Sequence, residues 1–219
     1  MTRLASHGAA GFTCLLMLAW AAGAPAANSQ SVVAAKPRTV NAAPCEACHG
    51  PNGEGRPAAP FPRLAGQSAD YLEKQLRDYA DGSRNNPIMQ NFAKGLSDSE
   101  RAALSTYYAS LASPYAVQAA PGDARQLARG HQLAFEGDES ERVQACNNCH
   151  GPGGSGVPYS APYLAGQSAE YLASALRSWQ QGTRKNDDGQ LMASVAARLS
   201  AADITAASSY FASLGTIGK

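Results

Sequence analysis

The pattern Cys-x-x-Cys-His occurs twice in this chain, and the pair of motifs constrains the fold more than any other feature. The copies span residues 45–49 and 146–150, 101 positions apart. Residues 63–72 match residues 163–172 except at their first and eighth positions, and residues 107–111 match 210–214 except at the second. The offset drifts between 100 and 103, which places insertions in loops. The chain is therefore predicted to contain two tandem copies of one folded unit.

The motif itself is typical of covalent haem c attachment. In this interpretation the two thiols bond to the haem vinyl carbons, and the histidine supplies an axial nitrogen to the iron. The predicted attachment residues are Cys45, Cys48, Cys146 and Cys149, and the predicted axial ligands are His49 and His150. Zinc binding and thiol redox chemistry are the alternatives. They are disfavoured because neither gives a role to the histidine after the second cysteine.

Each iron needs a sixth ligand, and the candidates are Met89 and Met192, the only methionines after residue 26. Each lies at the equivalent place in its repeat, at the end of a polar loop and before the last helix. His131 is the only other histidine after residue 26, so it cannot serve both sites, and we expect an ordinary helix residue there. Lys94 aligns with Ala197 and is a weaker candidate. Methionine ligation raises the reduction potential and fills the sixth coordination position of the iron. Oxygen or peroxide then has no place to bind, which favours electron transfer over catalysis.

Residues 1–26 are typical of a secretory signal peptide. Arg3 precedes an apolar run, and Ala24-Pro25-Ala26 is a small-x-small cleavage site. An uncleaved anchor is the alternative, but the run is short against the roughly 20 residues that a membrane span needs. Cleavage removes Cys14 and leaves only the motif cysteines, with none for a structural disulfide. Covalent haem attachment is extracytoplasmic in bacteria, so we predict a periplasmic protein.

Helical periodicity, glycine-rich loops and the lack of an alternating strand pattern predict an all-α fold. Capping signals predict helices over residues 68–81, from Ser97 to residue 113, and over residues 123–135. Residues 28–44 contain Pro37 and fit a helix poorly. The predicted organisation is a signal peptide (1–26), an N-terminal domain (27–113), a linker (114–122) and a C-terminal domain (123–219).

Each half resembles a class I c-type cytochrome, with a Cys-x-x-Cys-His motif, a Pro-x-Leu-x-Gly segment, a distal methionine and a closing helix. Both copies also carry Leu-Ala-Gly-Gln (64–67 and 164–167) and Gly-x-Arg (82–84 and 182–184). Over roughly residues 42–215 the chain is similar to the cytochrome c4 family of dihaem periplasmic electron carriers. The resemblance implies two tandem class I cytochrome c domains related by a pseudo-two-fold axis. It also implies two covalently bound haem c groups, with their propionate edges facing each other across the interface.

The resemblance assigns further roles. Pro62 and Pro162 match the proline whose carbonyl accepts the second ring N–H of the axial histidine. Arg84 and Arg184 are candidates to pair with haem propionates. Side-chain hydrogen bonds to propionates are expected from Tyr71, Tyr171 or Trp179. The alternative for the two prolines is a purely structural role in a loop. The alternative for the arginines is a surface charge, and for the aromatic residues it is packing in the core.

Two departures from the family pattern are expected to make the halves differ. Class I domains begin with a helix that crosses the closing helix at a small residue. Residues 123–135 fit this pattern, with Gly130 against Tyr210, whereas residues 28–44 do not. The loop before Met192 is also three residues longer than the loop before Met89. We therefore expect the two haems to differ in reduction potential and in the stability of the methionine bond.

The predicted function is electron carriage from a quinol-oxidising complex or dehydrogenase to a terminal oxidase or reductase. A cytochrome subunit of a periplasmic dehydrogenase complex is the alternative. A dihaem peroxidase is disfavoured, since a peroxidase needs one iron with an open or displaceable coordination position. The net charge is +1, and no basic tract indicates nucleic-acid binding. Peripheral association with membrane complexes is compatible with this function.

Overall fold

The computed structural model describes residues 40–56, 59–112 and 122–215. The predicted signal peptide, most of the doubtful first helix and nearly all of the predicted linker lie outside these residues. The domain boundaries therefore stay a prediction. No helix in the described ranges is long and apolar enough to cross a membrane.

The described residues are helical and contain no strands, only isolated β-bridges, so the predicted all-α class is confirmed. The first half contains four helices: α1 (Ala43–His49), α2 (Ala69–Asp81), α3 (Pro87–Lys94) and α4 (Asp98–Ser110). The second half contains five: α5 (Ala124–Phe135), α6 (Asn147–His150), α7 (Ala169–Gln180), α8 (Leu191–Ala196) and α9 (Ala201–Ser213). Helices α6 to α9 repeat the order of α1 to α4, and α5 precedes the second copy.

Local capping chemistry explains where the longer helices begin. Ser68 and Ser168 accept hydrogen bonds from the backbone N–H groups of Tyr71 and Tyr171, at the starts of α2 and α7. Ser97 and Glu100 form the predicted capping box of α4. Asp203 replaces the glutamate in the equivalent box of α9. These caps satisfy backbone donors that the first helical turn leaves unpaired.

Each half has its own buried apolar core. In the first half, α2 and α4 contribute Leu72, Leu104, Tyr107 and Tyr108. In the second half, α5, α7 and α9 contribute Leu133, Leu172, Ile204 and Phe211 to two neighbouring clusters. Burial of such side chains is the main favourable term that holds each set of helices together.

Helices α5 and α9 cross at Gly130, as predicted. A β-carbon built on Gly130 would lie 2.5 Å from Cβ of Tyr210 and closer still to the carbonyl oxygen of Ala206. Only a residue without a side chain allows this approach. Arg129, one residue earlier, pairs with Asp203 on α9 and with Asp138 in the loop before the second motif, each at 2.7 Å. The hydroxyl of Ser140 also donates to Asp138, at 2.6 Å.

The two halves contact each other through reciprocal hydrogen bonds. The side-chain oxygen of Gln167 accepts from the backbone N–H of Arg63 at 2.8 Å, and its amide nitrogen donates to the Arg63 carbonyl at 3.0 Å. Gln67 makes the same pair of bonds with Tyr163, at 2.9 and 3.0 Å. Arg84 and Arg184, which occupy equivalent positions, form an antiparallel bridge with each other. Such reciprocity is the pattern that a two-fold axis produces.

Candidate haem sites

The motif side chains of both repeats line one continuous cavity of about 700 Å³. Its walls include every residue of the predicted attachment and ligand set: Cys45, Cys48, His49, Met89, Cys146, Cys149, His150 and Met192. None of these cysteines forms a disulfide. The structure therefore brings the predicted site residues of each half together, and places both sets along the same cavity.

Each motif histidine is oriented by a proline carbonyl of its own half. Nδ1 of His49 lies 2.7 Å from the carbonyl oxygen of Pro62, and Nδ1 of His150 lies 2.9 Å from that of Pro162. A carbonyl oxygen can only accept, so Nδ1 carries the proton and Nε2 keeps its lone pair. Burial lowers the pKa of both imidazoles, against the opposing effect of the carbonyl bond. Both rings are therefore neutral and ready to ligate a metal.

The two methionines follow the polar loops, as predicted, but each lies in a short helix that was not predicted from the sequence. Met89 lies in the first turn of α3, which Asn86 caps by accepting from the Met89 backbone N–H at 3.0 Å. Met192 is the second residue of α8, which follows a 3-10 turn over Asp188–Gln190. This turn contains the predicted three-residue insertion, and Gly189 and Gln190 have positive φ angles within it. The two ligand segments thus differ in backbone structure.

Several buried donors on the cavity wall lack a hydrogen-bond partner among the described residues. Among them are Nε1 of Trp179 and the hydroxyl groups of Ser105 and Ser208, which occupy equivalent positions in α4 and α9. A buried donor without a partner costs about 1–3 kcal/mol, so the wall suits a ligand that presents acceptor oxygens. Together with the thiol, imidazole and thioether donors, these groups fit a haem c with propionates.

Arg84 and Arg184 lie buried where the two halves meet. The guanidinium of Arg84 stacks on the ring of Tyr79 at 4.7 Å and donates to the hydroxyl of Tyr171 at 3.1 Å. That of Arg184 stacks on Trp179 at 3.8 Å and donates to the hydroxyl of Tyr71 at 3.4 Å. Each arginine therefore joins an aromatic ring of its own half to a tyrosine of the other half.

This buried cluster is rich in positive charge. Among the described residues, no carboxylate forms an ion pair with Arg84 or Arg184. Burial disfavours a tyrosinate, but the two guanidinium groups outweigh it and lower the pKa of Tyr171 to about 8. An anionic ligand at this position would offset the buried charge. Contact with haem propionates stays a prediction, and this environment supports it.

The remaining candidate ligands lie away from the cavity. His131 is exposed on α5, where its ring stacks on Phe135 at 4.6 Å, as expected for a surface residue. Lys94 is exposed at the end of α3 and does not line the cavity. In the part of the chain that the structure describes, no group of three or more His, Cys, Asp or Glu side chains converges as a metal site.

Residues 34–112 match the family model for cytochrome c. A cytochrome c4 from Pseudomonas aeruginosa is 41% identical over 177 residues, which cover 80% of this chain and 86% of that protein. This chain belongs to the cytochrome c4 family. A thiosulfate dehydrogenase electron acceptor from Stutzerimonas stutzeri is also 41% identical, over 192 residues that cover 88% of each chain. The crystal structure of reduced cytochrome c4 from Pseudomonas stutzeri superposes with a TM-score of 0.73 at 36% identity. It covers 80% of this chain and 95% of that one.

Family membership confirms the resemblance drawn from the sequence. The chain is a dihaem electron-transfer cytochrome built from class I cytochrome c folds, with covalently bound haem c groups. A redox protein, with a dehydrogenase among the candidates, is its partner class.

The side chains that join the two halves were not predicted from the sequence. Gln67 and Gln167 were noted only as part of a repeated segment, and Gln75 and Asn186 were not singled out as site residues. Gln75 accepts from Arg84 at 2.8 Å and from Asn186 at 2.9 Å. The identity of residues 64–68 and 164–168 was the one available signal, since an exact repeat within a divergent duplication marks a shared requirement.

Proposed function

We propose that this cytochrome is a periplasmic carrier that accepts electrons from a dehydrogenase and passes them to a terminal oxidase or reductase. A thiosulfate dehydrogenase is the first donor to test, because the relative from Stutzerimonas stutzeri bears that name. A quinol-oxidising complex is the other donor class. The observation that supports this proposal most directly is that the Cys-x-x-Cys-His motif and the methionine of each repeat line the same cavity.

The axial pairs in this proposal are His49 with Met89 and His150 with Met192. When bound, haem c supplies one-electron exchange between Fe(III) and Fe(II). The cysteines would hold the group in place, burial favours the neutral form of each imidazole, and the proline carbonyls orient it. Met89 and Met192 would each supply a thioether sulfur, which favours Fe(II) and would leave no coordination position for a substrate. These residues therefore serve electron transfer rather than turnover of a substrate, so we propose that the chain is not an enzyme.

The same proposal includes export. Residues 1–26 would act as a cleaved signal peptide, and haem attachment would follow in the periplasm. The assignment of separate N- and C-terminal domains joined by a linker at 114–122 belongs to it as well.

A second candidate function is that of a cytochrome subunit in a periplasmic dehydrogenase complex. A relative named as the electron acceptor of a thiosulfate dehydrogenase favours a dehydrogenase as the partner in this function too. A transient redox contact and a permanent one with such an enzyme differ in lifetime.

The experiment uses the exported full-length holoprotein. The proposal expects two covalent haems per chain, a low-spin oxidised spectrum with a methionine–iron charge-transfer band, and rapid reduction by thiosulfate in the presence of thiosulfate dehydrogenase. Stable co-purification with a dehydrogenase would favour the subunit function. A high-spin iron at rest, or rapid turnover of peroxide, would overturn the carrier function.

A further inference from the structure

The peptide group that accepts a hydrogen bond from each motif histidine also donates a hydrogen bond to a side chain of the other half. The carbonyl of Pro62 and the N–H of Arg63 belong to the same peptide group. The carbonyl accepts from His49 at 2.7 Å, and the N–H donates to the side-chain oxygen of Gln167 at 2.8 Å. His49 is therefore connected through one peptide to a side chain of the other half.

The second half repeats this arrangement in the opposite direction. The carbonyl of Pro162 accepts from His150 at 2.9 Å. The N–H of the same peptide, which belongs to Tyr163, donates to the side-chain oxygen of Gln67 at 2.9 Å. Each histidine thus ends a chain of two hydrogen bonds that begins at a glutamine across the interface.

The side chains of both glutamines are buried and hydrogen-bonded at both ends of the amide. Gln67 and Gln167 are 4% and 3% exposed. Each side-chain oxygen also accepts from the backbone N–H of the following serine, at 3.0 and 2.9 Å. Each amide nitrogen donates to a backbone carbonyl of the other half at 3.0 Å. The oxygen must face N–H groups and the nitrogen must face a carbonyl, so each amide has a single orientation.

We propose that each glutamine is a positioning residue for the axial histidine of the opposite half. Gln167 acts on His49 through the peptide that follows Pro62. Gln67 acts on His150 through the peptide that follows Pro162. This inference rests on the proposed axial ligation of the two histidines.

The physical basis is the polarisation of one hydrogen bond by the next. A peptide whose N–H is donated carries more negative charge on its carbonyl oxygen, so that oxygen is a stronger acceptor. A stronger bond to Nδ1–H makes the imidazole a more basic ligand, and a more basic ligand stabilises Fe(III) over Fe(II). Loss of the glutamine should therefore raise the reduction potential of the haem in the opposite half.

The test uses Gln167→Leu and Gln67→Leu in the full-length holoprotein. The two potentials are measured by spectroelectrochemical titration, and haem methyl resonances in NMR spectra assign each haem through contacts with residues of its own half. Gln167→Leu should raise chiefly the potential of the haem at Cys45 and Cys48. Gln67→Leu should raise chiefly that of the haem at Cys146 and Cys149.

Gln75→Leu is the matched control. It removes the same side chain and also breaks hydrogen bonds across the interface, with Arg184 and Asn186, but it touches neither proline peptide. Any effect of a looser interface alone appears in this variant, without the crossed pattern. If a leucine variant yields no holoprotein, Gln167→Asn or Gln67→Asn shortens the side chain, and the same crossed pattern is expected.

Equal shifts of both haems in each variant, a shift of the haem in the glutamine's own half, or no shift would overturn the proposal. These outcomes are distinct from failure of the proposed function. In that case the unmodified protein itself would lack covalent haem or the spectrum of histidine–methionine ligation.

Discussion

The crossing of α5 and α9 makes Gly130→Ala a sharp test of the structure. The new methyl group would lie 2.5 Å from Cβ of Tyr210 and 2.9 Å from the carbonyl carbon of Ala206. Ordinary carbon contacts begin near 3.5 Å, so the helices must separate by about 1 Å. Helix α5 leads into the loop that carries the second motif, and Met192 lies on α8 beside α7, which packs on α9. The perturbation is therefore expected to reach the C-terminal haem first.

The size of the effect follows from two opposing contributions. Overpacking of a buried contact costs typically 1–3 kcal/mol, and contact with a rigid backbone places this case at about 3 kcal/mol. Alanine is favoured over glycine in a helix interior by about 1 kcal/mol. The net loss in the free energy of unfolding is thus about 2 kcal/mol. For a domain of this size, it should lower the melting temperature of the C-terminal half by roughly 10 °C.

Thermal unfolding of the holoprotein, followed by circular dichroism and by the methionine–iron absorption band, measures the effect. Gly95→Ala is the matched control. Gly95 ends α3 with a φ of −77°, and a β-carbon there would lie 3.5 Å from its nearest neighbour. The control should leave the melting temperature unchanged or slightly raised. If Gly130→Ala melts no lower than Gly95→Ala, the close crossing of α5 and α9 is wrong.

Three further changes test the sites and the charges around them. Met192→Ala should open one iron and lower the potential of that haem, while the spectrum of the Met89 haem stays intact. Arg84→Met removes a buried cation and should lower at least one haem potential in a redox titration, whereas exposed Arg77→Met should not, because solvent screens its charge. The pKa of Asp138 is lowered to about 2, by the Ser140 hydroxyl first and then by Arg129, so its contribution to stability is full above the unfolded pKa near 4. Asp138→Asn should therefore be less stable than the parent in denaturant titrations near neutral pH, and the difference should vanish as the pH falls toward 2.

The helices that could be predicted are those with local signals at both ends. Serine caps and apolar residues at helical spacing predicted α2 and α4, and Asp123 predicted α5. Helices α3 and α8 are eight and six residues long, too short for their periodicity to stand out. Asn86 followed by Pro87 did carry a start signal for α3, because asparagine caps well and proline suits the first turn.

The site residues that could be predicted are likewise those that carry a local signal in the sequence. The motif residues and methionines could be placed from spacing alone, and the proline carbonyls from family resemblance. The contacts of Gln67 and Gln167 could not, because they join backbone groups about 100 positions away. Such pairings depend on how the two halves associate, and no local propensity encodes that. Sequence identity between the copies marked these residues without indicating what they touch.

Fusion of two copies in one chain allows different residues to occupy equivalent interface positions, which is impossible for two identical subunits related by a two-fold axis. Arg63 and Tyr163 occupy equivalent positions, and the Arg63 guanidinium stacks on the Tyr163 ring at 4.5 Å. In a symmetric pair of first halves, arginine would face arginine in a buried space. Burial lowers the pKa of Arg63 to about 10, so a second buried arginine beside it would be disfavoured. Divergence at this position thus stabilises the pairing of unlike halves and places a buried positive charge beside the Pro62 peptide, where the second half has a neutral ring. The two haem sites therefore have different electrostatic surroundings, and we expect the two haems to have distinct potentials.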